Sequence, residues 1–255
     1  MKLVVLGSGT SVPHPQRASA AHWLETSGGS TLLLDIGAST VHRMAQENLD
    51  WVNLDAIWVS HFHLDHVGGL FPFLFGTKYA PATEARRKPL TVYGPHGLEK
   101  LFRAFDAAGD YDLLKQPFPV EIREVAPHAA FTMLPGLSAE TFSTPHTTES
   151  LALKLIDTDN ASLVFTSDTG YTDALATFAQ NVSLFLLECS FFRDKPVESH
   201  LELAEAMRLA AQSGARRVML SHLYPEWDNL DLAAEAKKLW SGETIEARDG
   251  LRLEI

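Results

Sequence analysis

Residues 60–70 read Ser60-His61-Phe62-His63-Leu64-Asp65-His66-Val67-Gly68-Gly69-Leu70, and they follow directly on the apolar run Ala56 to Val59. If that run is a strand, its hydrogen-bonded ladder ends as the histidines begin. A loop leaving a strand end can turn alternate side chains toward one point. His61 and His63 are then spaced to chelate one ion as a pair. Asp65 and His66 break the alternation, which directs them to a second position a few ångströms away. Imidazole and carboxylate donors suit zinc better than calcium or magnesium. A polar loop that happens to be rich in histidine is the competing explanation, but packing gives no reason for three histidines and an acid at this density.

Outward from this segment, strands and helices interleave with no low-complexity tract and no flexible linker. Strands are expected at Lys2 to Leu6, Ala21 to Thr26, Thr31 to Asp35, Ala56 to Ser60, Leu90 to Tyr93, Val120 to Val125, Ala130 to Met133, Ala139 to Ser143, Leu151 to Ile156, Leu163 to Ser167, Leu184 to Leu187 and Val218 to Ser221. Apolar residues recur at helical spacing in Ser39 to Asn48, Gly97 to Ala107, His200 to Gln212 and Asp231 to Trp240. The segment Thr244 to Ile255 suggests a hairpin around Asp249-Gly250. Early strands cluster while later ones are separated by helices, so mixed sheets covered by helices are expected. There is also an internal echo. Leu32-Leu33-Leu34-Asp35-Ile36-Gly37 resembles Val164-Phe165-Thr166-Ser167-Asp168-Thr169-Gly170, and a helix follows each, which hints at two related halves.

Composition bounds the function classes. With 255 residues, 45% hydrophobic and 21% charged, the chain can bury one substantial core, and we expect a single α/β domain over residues 1–255. Leu3 to Leu6 is too short for the apolar part of a secretory signal, and no run approaches a membrane span. A cytoplasmic protein without a membrane partner is the expectation. The one cysteine, Cys189, excludes an intramolecular disulfide and reads as a small core residue. A formal net charge of −11 argues against a surface built to hold a nucleic-acid backbone. Arg86, Arg87 and Lys88 form the only compact basic cluster and read as a solvated loop. The oligomeric state stays open, and a homodimer is compatible with the sequence.

Four more residues stand where a ligand could be held. His146 lies just past the strand Ala139 to Ser143, Asp168 past Leu163 to Ser167, His222 past Val218 to Ser221, and Asp35 at the end of Thr31 to Leu34. Alone, a strand-end Asp is usually a turn residue and a lone His a satisfied polar one. Ligands recurring at strand ends along one sheet edge are the arrangement a rigid site needs.

With these residues in place, the chain resembles the metallo-β-lactamase superfamily over nearly its whole length. The resemblance rests on the His61, His63, Asp65, His66 signature, the isolated His146, Asp168 in Ser-Asp-Thr-Gly, and the final Ser221-His222. It implies an αββα sandwich of two mixed β-sheets flanked by helices, with a two-metal centre on one edge. His61, His63 and His146 would hold the first zinc; Asp65, His66 and His222 would hold the second, and Asp168 would bridge them. Asp35 would stand behind the ligands and orient a histidine. Manganese or iron would suit the same donors. A bridging aspartate is similar to the hydrolase and phosphodiesterase branches and unlike the antibiotic-hydrolysing enzymes. Leu6-Gly7-Ser8-Gly9-Thr10-Ser11-Val12-Pro13 and Glu198-Ser199-His200-Leu201 resemble the ribonuclease Z-like branch, which implies a catalytic role for His200. At a helix first turn, His200 would instead have no chemistry.

One departure bears on substrate. The tRNA-processing members carry a long arm between the isolated histidine and the bridging aspartate, whereas His146 and Asp168 are 22 positions apart with two short strands between them. A small phosphodiester, such as a cyclic or terminal nucleotide, becomes the expected substrate ahead of a tRNA precursor. The expected chemistry is attack on phosphorus by a hydroxide bridging the metals, with Asp65 accepting a proton and His200 assisting the leaving oxygen. Glu188 either orients His200 or serves only as a strand-end carboxylate, the simpler explanation. Phe71, Phe73 and Phe75 are expected in the core, and Tyr224 is a candidate substrate contact. The alternatives are a ribonuclease Z that processes tRNA 3′ ends, a hydrolase of a lactone, ester or thioester, and a non-hydrolytic metal-binding module.

Overall fold

The computed structural model describes residues 1–255 and consists of two seven-stranded sheets packed face to face with helices on both outer faces. The first sheet contains β1 (Lys2–Gly7), β2 (Ala21–Glu25), β3 (Thr31–Leu34), β4 (Ala56–Trp58), β5 (Leu90–Gly94) and β6 (Val120–Glu124). The second contains β7 (Ala130–Leu134), β8 (Leu137–Ser143), β9 (Leu151–Asp157), β10 (Ser162–Phe165), β11 (Leu184–Glu188), β12 (Arg217–Ser221) and β13 (Glu243–Glu246). A last strand, β14 (Arg252–Glu254), returns to the first sheet beside β1, giving the orders β14-β1-β2-β3-β4-β5-β6 and β13-β12-β11-β10-β9-β8-β7.

Period-two alternation makes the layers. Leu3, Val5, Leu32, Leu34 and Trp58 point between the sheets and meet Leu153, Leu155, Leu163, Phe165, Leu186 and Met219. Their neighbours Val4, Leu6, Leu33 and Ile57 point outward under α1 (Thr40–Gln46), α3 (Leu70–Tyr79) and α4 (Leu98–Gly109), which supply Met44, Phe71, Leu74 and Phe102. On the other side Val164, Phe185, Leu187, Val218 and Leu220 lie under α5 (Asp173–Phe178), α6 (Leu203–Ser213) and α7 (Leu232–Lys237). Each fully buried Leu or Phe contributes about 1.5–3 kcal/mol.

The echo between the two halves extends to the strand pairing. β14 to β3 are joined antiparallel and β3 to β6 parallel. β7 to β10 are likewise antiparallel and β10 to β13 parallel. Asp35 after β3 and Ser167 after β10 both adopt left-handed backbone, at φ 58° and 51°.

Several local expectations are corrected. Thr244 to Ile255 is not a hairpin: β13 pairs parallel with β12, while β14 pairs antiparallel with β1 in the opposite sheet. The Asp249 carboxylate accepts hydrogen bonds from Ser8 N, Ser8 Oγ and Ala18 N, so Asp249-Gly250 tethers a crossing between sheets. The helix α3 carries no helical period in its sequence because it is apolar on nearly every side. Its Pro72 sits in the first turn, where a missing N–H costs little. Phe71 and Phe73 are buried there, but Phe75 is 43% exposed. Arg86 is not in a solvated loop; it is 6% exposed, donates to the carbonyls of Val52, Leu54, Lys88 and Pro89, and stacks on Phe118.

Candidate metal centre

The strand ends on one edge of the sandwich converge. β4 runs into Ser60 and His61, and the chain then turns into α2 (Leu64–Val67), whose N-cap is His63 and whose first turn carries Asp65 and His66. From the second sheet come His146 beyond β8, Asp168 beyond β10 and His222 beyond β12. His222 is also left-handed, at φ 58°. Such backbone costs a non-glycine residue about 1–3 kcal/mol and persists where the surroundings enforce it.

The structure brings all seven candidate ligands together. Single donor atoms of His61, His63, His146 and Asp168 lie within 4.8 Å of one another, as do those of Asp65, His66 and His222. Asp168 faces both groups. Its Oδ2 is 3.8 Å from His61 Nε2 and 3.5 Å from His146 Nε2, while its Oδ1 is 3.2 Å from His66 Nε2 and 3.3 Å from His222 Nε2. Asp65 Oδ2 closes the second group at 3.6 Å from His66 Nε2 and 3.5 Å from His222 Nε2.

The donor set fits divalent metal. Nε2 of His61, His66 and His222 and Oδ1 of Asp168 are buried without a hydrogen-bond partner, a costly state unless something else occupies their lone pairs. A tetrahedral ion bonded at about 2.0–2.1 Å holds its ligands roughly 3.3 Å apart, which is the range of spacings found here.

Behind the ligands, nearly every far ring nitrogen is occupied. Asp35 Oδ2 lies 2.7 Å from His66 Nδ1, Ser60 Oγ 3.0 Å from His61 Nδ1, Ser190 Oγ 2.9 Å from His222 Nδ1, and the Ser199 carbonyl 2.9 Å from His146 Nδ1. The acceptor-only Asp35 carboxylate and Ser199 carbonyl fix the tautomer that leaves Nε2 of His66 and His146 toward the centre, and the two hydroxyls are placed to accept from His61 and His222 in the same way. His63 differs, presenting Nδ1 to the group, 3.0 Å from His146 Nε2. Of these supports, sequence reasoning found only Asp35. The serines gave no signal beyond adjacency to a strand end or a ligand.

Burial, together with the neighbouring His66, pushes the His61 ring far below the ordinary histidine range, keeping it neutral as a ligand must be. Burial opposes charge on Asp168, but His222, His66 and His61 outweigh it and hold the carboxyl well below its usual range. Asp65 is lowered too, burial being outweighed by His222 and His66.

His200 lies outside the helix assigned to it. α6 begins at Leu203, and His200 sits in the preceding loop, its ring 4.8 Å from that of His146 and 5.4 Å from that of His222. Glu188 is more than a strand-end carboxylate. Its Oε1 accepts from His200 Nδ1 and Thr169 N, both at 2.8 Å, and its Oε2 accepts from Ser190 Oγ, Ser190 N and Leu201 N. Burial works against a charge on His200, yet the Glu188 hydrogen bond and charge raise it above the ordinary histidine value. Gly170 lets this loop close on the Asp168 loop, since a Cβ there would fall 2.2 Å from the Glu198 carbonyl oxygen. Tyr224 stacks on Phe191 at 4.8 Å and stands 6.3 Å from the His222 ring, at the edge of the cluster.

The two-sheet sandwich, the clusters on its edge and the similarity to known proteins together identify a metal-dependent hydrolase of the metallo-β-lactamase superfamily, in the ribonuclease Z-like branch. Residues 1–242 match the family model described as "Anti-Pycsar protein Apyc1", and the chain belongs to that family. Among its relatives, an uncharacterized protein of Mycobacterium leprae is 30% identical over 249 residues, covering 95% of this chain and 84% of the relative. The probable metallo-hydrolase YhfI of Bacillus subtilis is 26% identical over 98% of both chains. Its crystal structure superposes with a TM-score of 0.83, at 25% identity, over 100% of this chain and 99% of that one. A ribonuclease Z of Archaeoglobus fulgidus is 25% identical over 100% of this chain and 97% of its own.

Proposed function

We propose that the protein is a phosphodiesterase that uses two zinc ions and acts on small phosphodiesters such as a cyclic or terminal nucleotide. The observation that carries this reading is the division of Asp168, one oxygen toward His61 and His146 and the other toward His66 and His222, with His200 held beside the same cluster by Glu188. His61, His63 and His146 would hold one ion, Asp65, His66 and His222 the other, and Asp168 both. Bound there, the ions supply positive charge to a phosphoryl group and lower the pKa of water toward neutrality.

The chain's own side chains supply the rest. Asp65, kept ionised by His222 and His66 against its burial, accepts a proton at a carboxylate oxygen. His200 has Nδ1 engaged by Glu188, so Nε2 is its free atom. A proton held there stabilises negative charge growing on the substrate or passes to the leaving oxygen. Tyr224 lines the approach, with one ring face against Phe191.

Substrate size follows from the interval between His146 and Asp168, which is filled by β9, a turn and β10 and carries no arm. The net charge of −11 adds long-range repulsion toward a polyanion. The second reading, tRNA 3′ processing, is favoured by the full-length similarity to a ribonuclease Z. The deciding experiment measures kcat/KM for bis(p-nitrophenyl) phosphate and for a 3′-extended tRNA transcript at one salt concentration. We expect turnover of the small diester and poor processing of the tRNA. Efficient, position-specific tRNA cleavage would replace our reading with the second one. Inactivity on every phosphodiester would point to a lactone, ester or thioester.

A further inference from the structure

We infer that the Ser60 hydroxyl links the two metal subsites, making Ser60 a positioning residue for both although it lies beside a ligand of only one. The inference rests on the two-ion reading above. Ser60 is wholly buried, and its Oγ has three neighbours: His61 Nδ1 at 3.0 Å, Asp35 Oδ2 at 2.8 Å and Ser167 Oγ at 2.7 Å. His61 belongs to the first ligand group. Asp35 Oδ2 is also the 2.7 Å partner of His66 Nδ1, in the second group. Ser167 Oγ reaches the same carboxylate oxygen at 3.0 Å and His66 Nδ1 at 3.3 Å. The Ser60 backbone N–H fixes the other oxygen, Asp35 Oδ1, at 2.8 Å.

Counting protons gives the network its direction. A hydroxyl has one hydrogen to donate. His61 must turn Nε2 toward the metal, so its hydrogen is on Nδ1, where Ser60 Oγ is the acceptor. Ser60 therefore donates its own hydrogen to Asp35, which also receives the Nδ1 hydrogen of His66. Ser167 donates either to Ser60 or to Asp35. The hydrogen bonds thus run from His61 through Ser60 to Asp35, where they meet the one donated by His66 from the other side, and Ser167 braces the middle from the opposite sheet. Without the Ser60 hydroxyl, His61 loses its Nδ1 partner. Asp35 also loses a donor at the oxygen that orients His66. A single hydroxyl should thus set the geometry of both ligand groups, a coupling that an ordinary support to one ligand would not show.

The test is a titration of metal-stripped protein with Co(II), read by visible absorption and chelator competition as two binding steps, with folding checked by circular dichroism. Wild type should bind two ions. Ser60→Ala should weaken both steps, by roughly 10–100-fold at the more affected one, the usual cost of losing a support behind a ligand. Ser60→Thr, which keeps the hydroxyl, should restore both. Weakening of only one step, or of neither, would overturn the link. If Ser60→Ala does not fold, Ser60→Cys carries the same comparison, because a thiol is a weak donor in similar volume. Wild-type protein that takes up a single ion would overturn instead the two-ion reading beneath the inference.

Discussion

The sharpest prediction concerns Glu188→Gln, which preserves shape and removes charge. The carboxylate accepts five hydrogen bonds, three of them from the backbone N–H groups of Thr169, Ser190 and Leu201. A glutamine must point its NH₂ at one side. Toward Oε2 it would strand the N–H groups of Ser190 and Leu201; toward Oε1 it strands only that of Thr169, because His200 can turn an Nδ1 lone pair to accept. The second arrangement should win. One stranded buried N–H costs about 1–3 kcal/mol, and the surviving bonds weaken as they lose an ionised acceptor, for a total of about 2–4 kcal/mol. In a chain of this size that lowers Tm by roughly 5–15 °C.

The functional effect follows from the sign of the His200 shift. Glu188 raises the His200 value, so the protonated ring and the stability it contributes are fully present below the ordinary histidine pKa and are lost as pH rises through the folded value. In Glu188→Gln the alkaline limb of kcat should therefore move to lower pH, with kcat reduced by about 10²-fold. Metal content, by elemental analysis, should not change. A variant with kcat within about twofold of wild type and the same alkaline limb would refute the argument. Loss of metal would refute it too, placing the effect at His222 through Ser190.

Asp168→Ala should leave at most one ion per chain in protein purified from zinc-supplemented medium, where wild type holds two; elemental analysis decides it. His200→Ala should keep both ions and lower kcat by about 10²-fold or more on a chromogenic phosphodiester, whereas metal loss would make it a ligand. Arg86→Ala should leave turnover intact and cost at least about 2 kcal/mol in urea unfolding, because the buried Leu54 carbonyl loses its guanidinium partner.

What the sequence disclosed and what it withheld separate along one physical line. His61, His63, Asp65 and His66 are neighbours in the chain, and His146, Asp168 and His222 each follow an expected strand, so their recurrence at strand ends, with the family resemblance, pointed to them. The unbroken apolar runs Leu3 to Leu6 and Leu32 to Leu34 likewise marked strands, and both faces of each are buried. The supports were hidden because they act across long separations. Ser60 meets Asp35 from 25 positions away and Ser167 from 107, and no local periodicity encodes either contact. Asp249-Gly250 misled for a related reason: the dipeptide signals a reversal but not which sheet receives the next strand. Glu188 was visible as a strand-end acid, yet its importance lies in the five donors around it, drawn from three separate loops.

The return of β14 to β1 has one more consequence. The backbone N–H of Ile255 lies 3.0 Å from the Met1 carbonyl oxygen, so the two ends of the chain meet within the first sheet. Joined there and reopened between β13 and β14, the same strands would run in order as two successive seven-strand units, β14 through β6 and then β7 through β13. The first unit is thus discontinuous in sequence, because β14 follows every strand of the second. A chain emerging from the ribosome makes every strand of its second unit before the first can close. The edge of β1 stays unpaired until residue 252 arrives, and the strand that fastens the first sheet is made after every strand of the second.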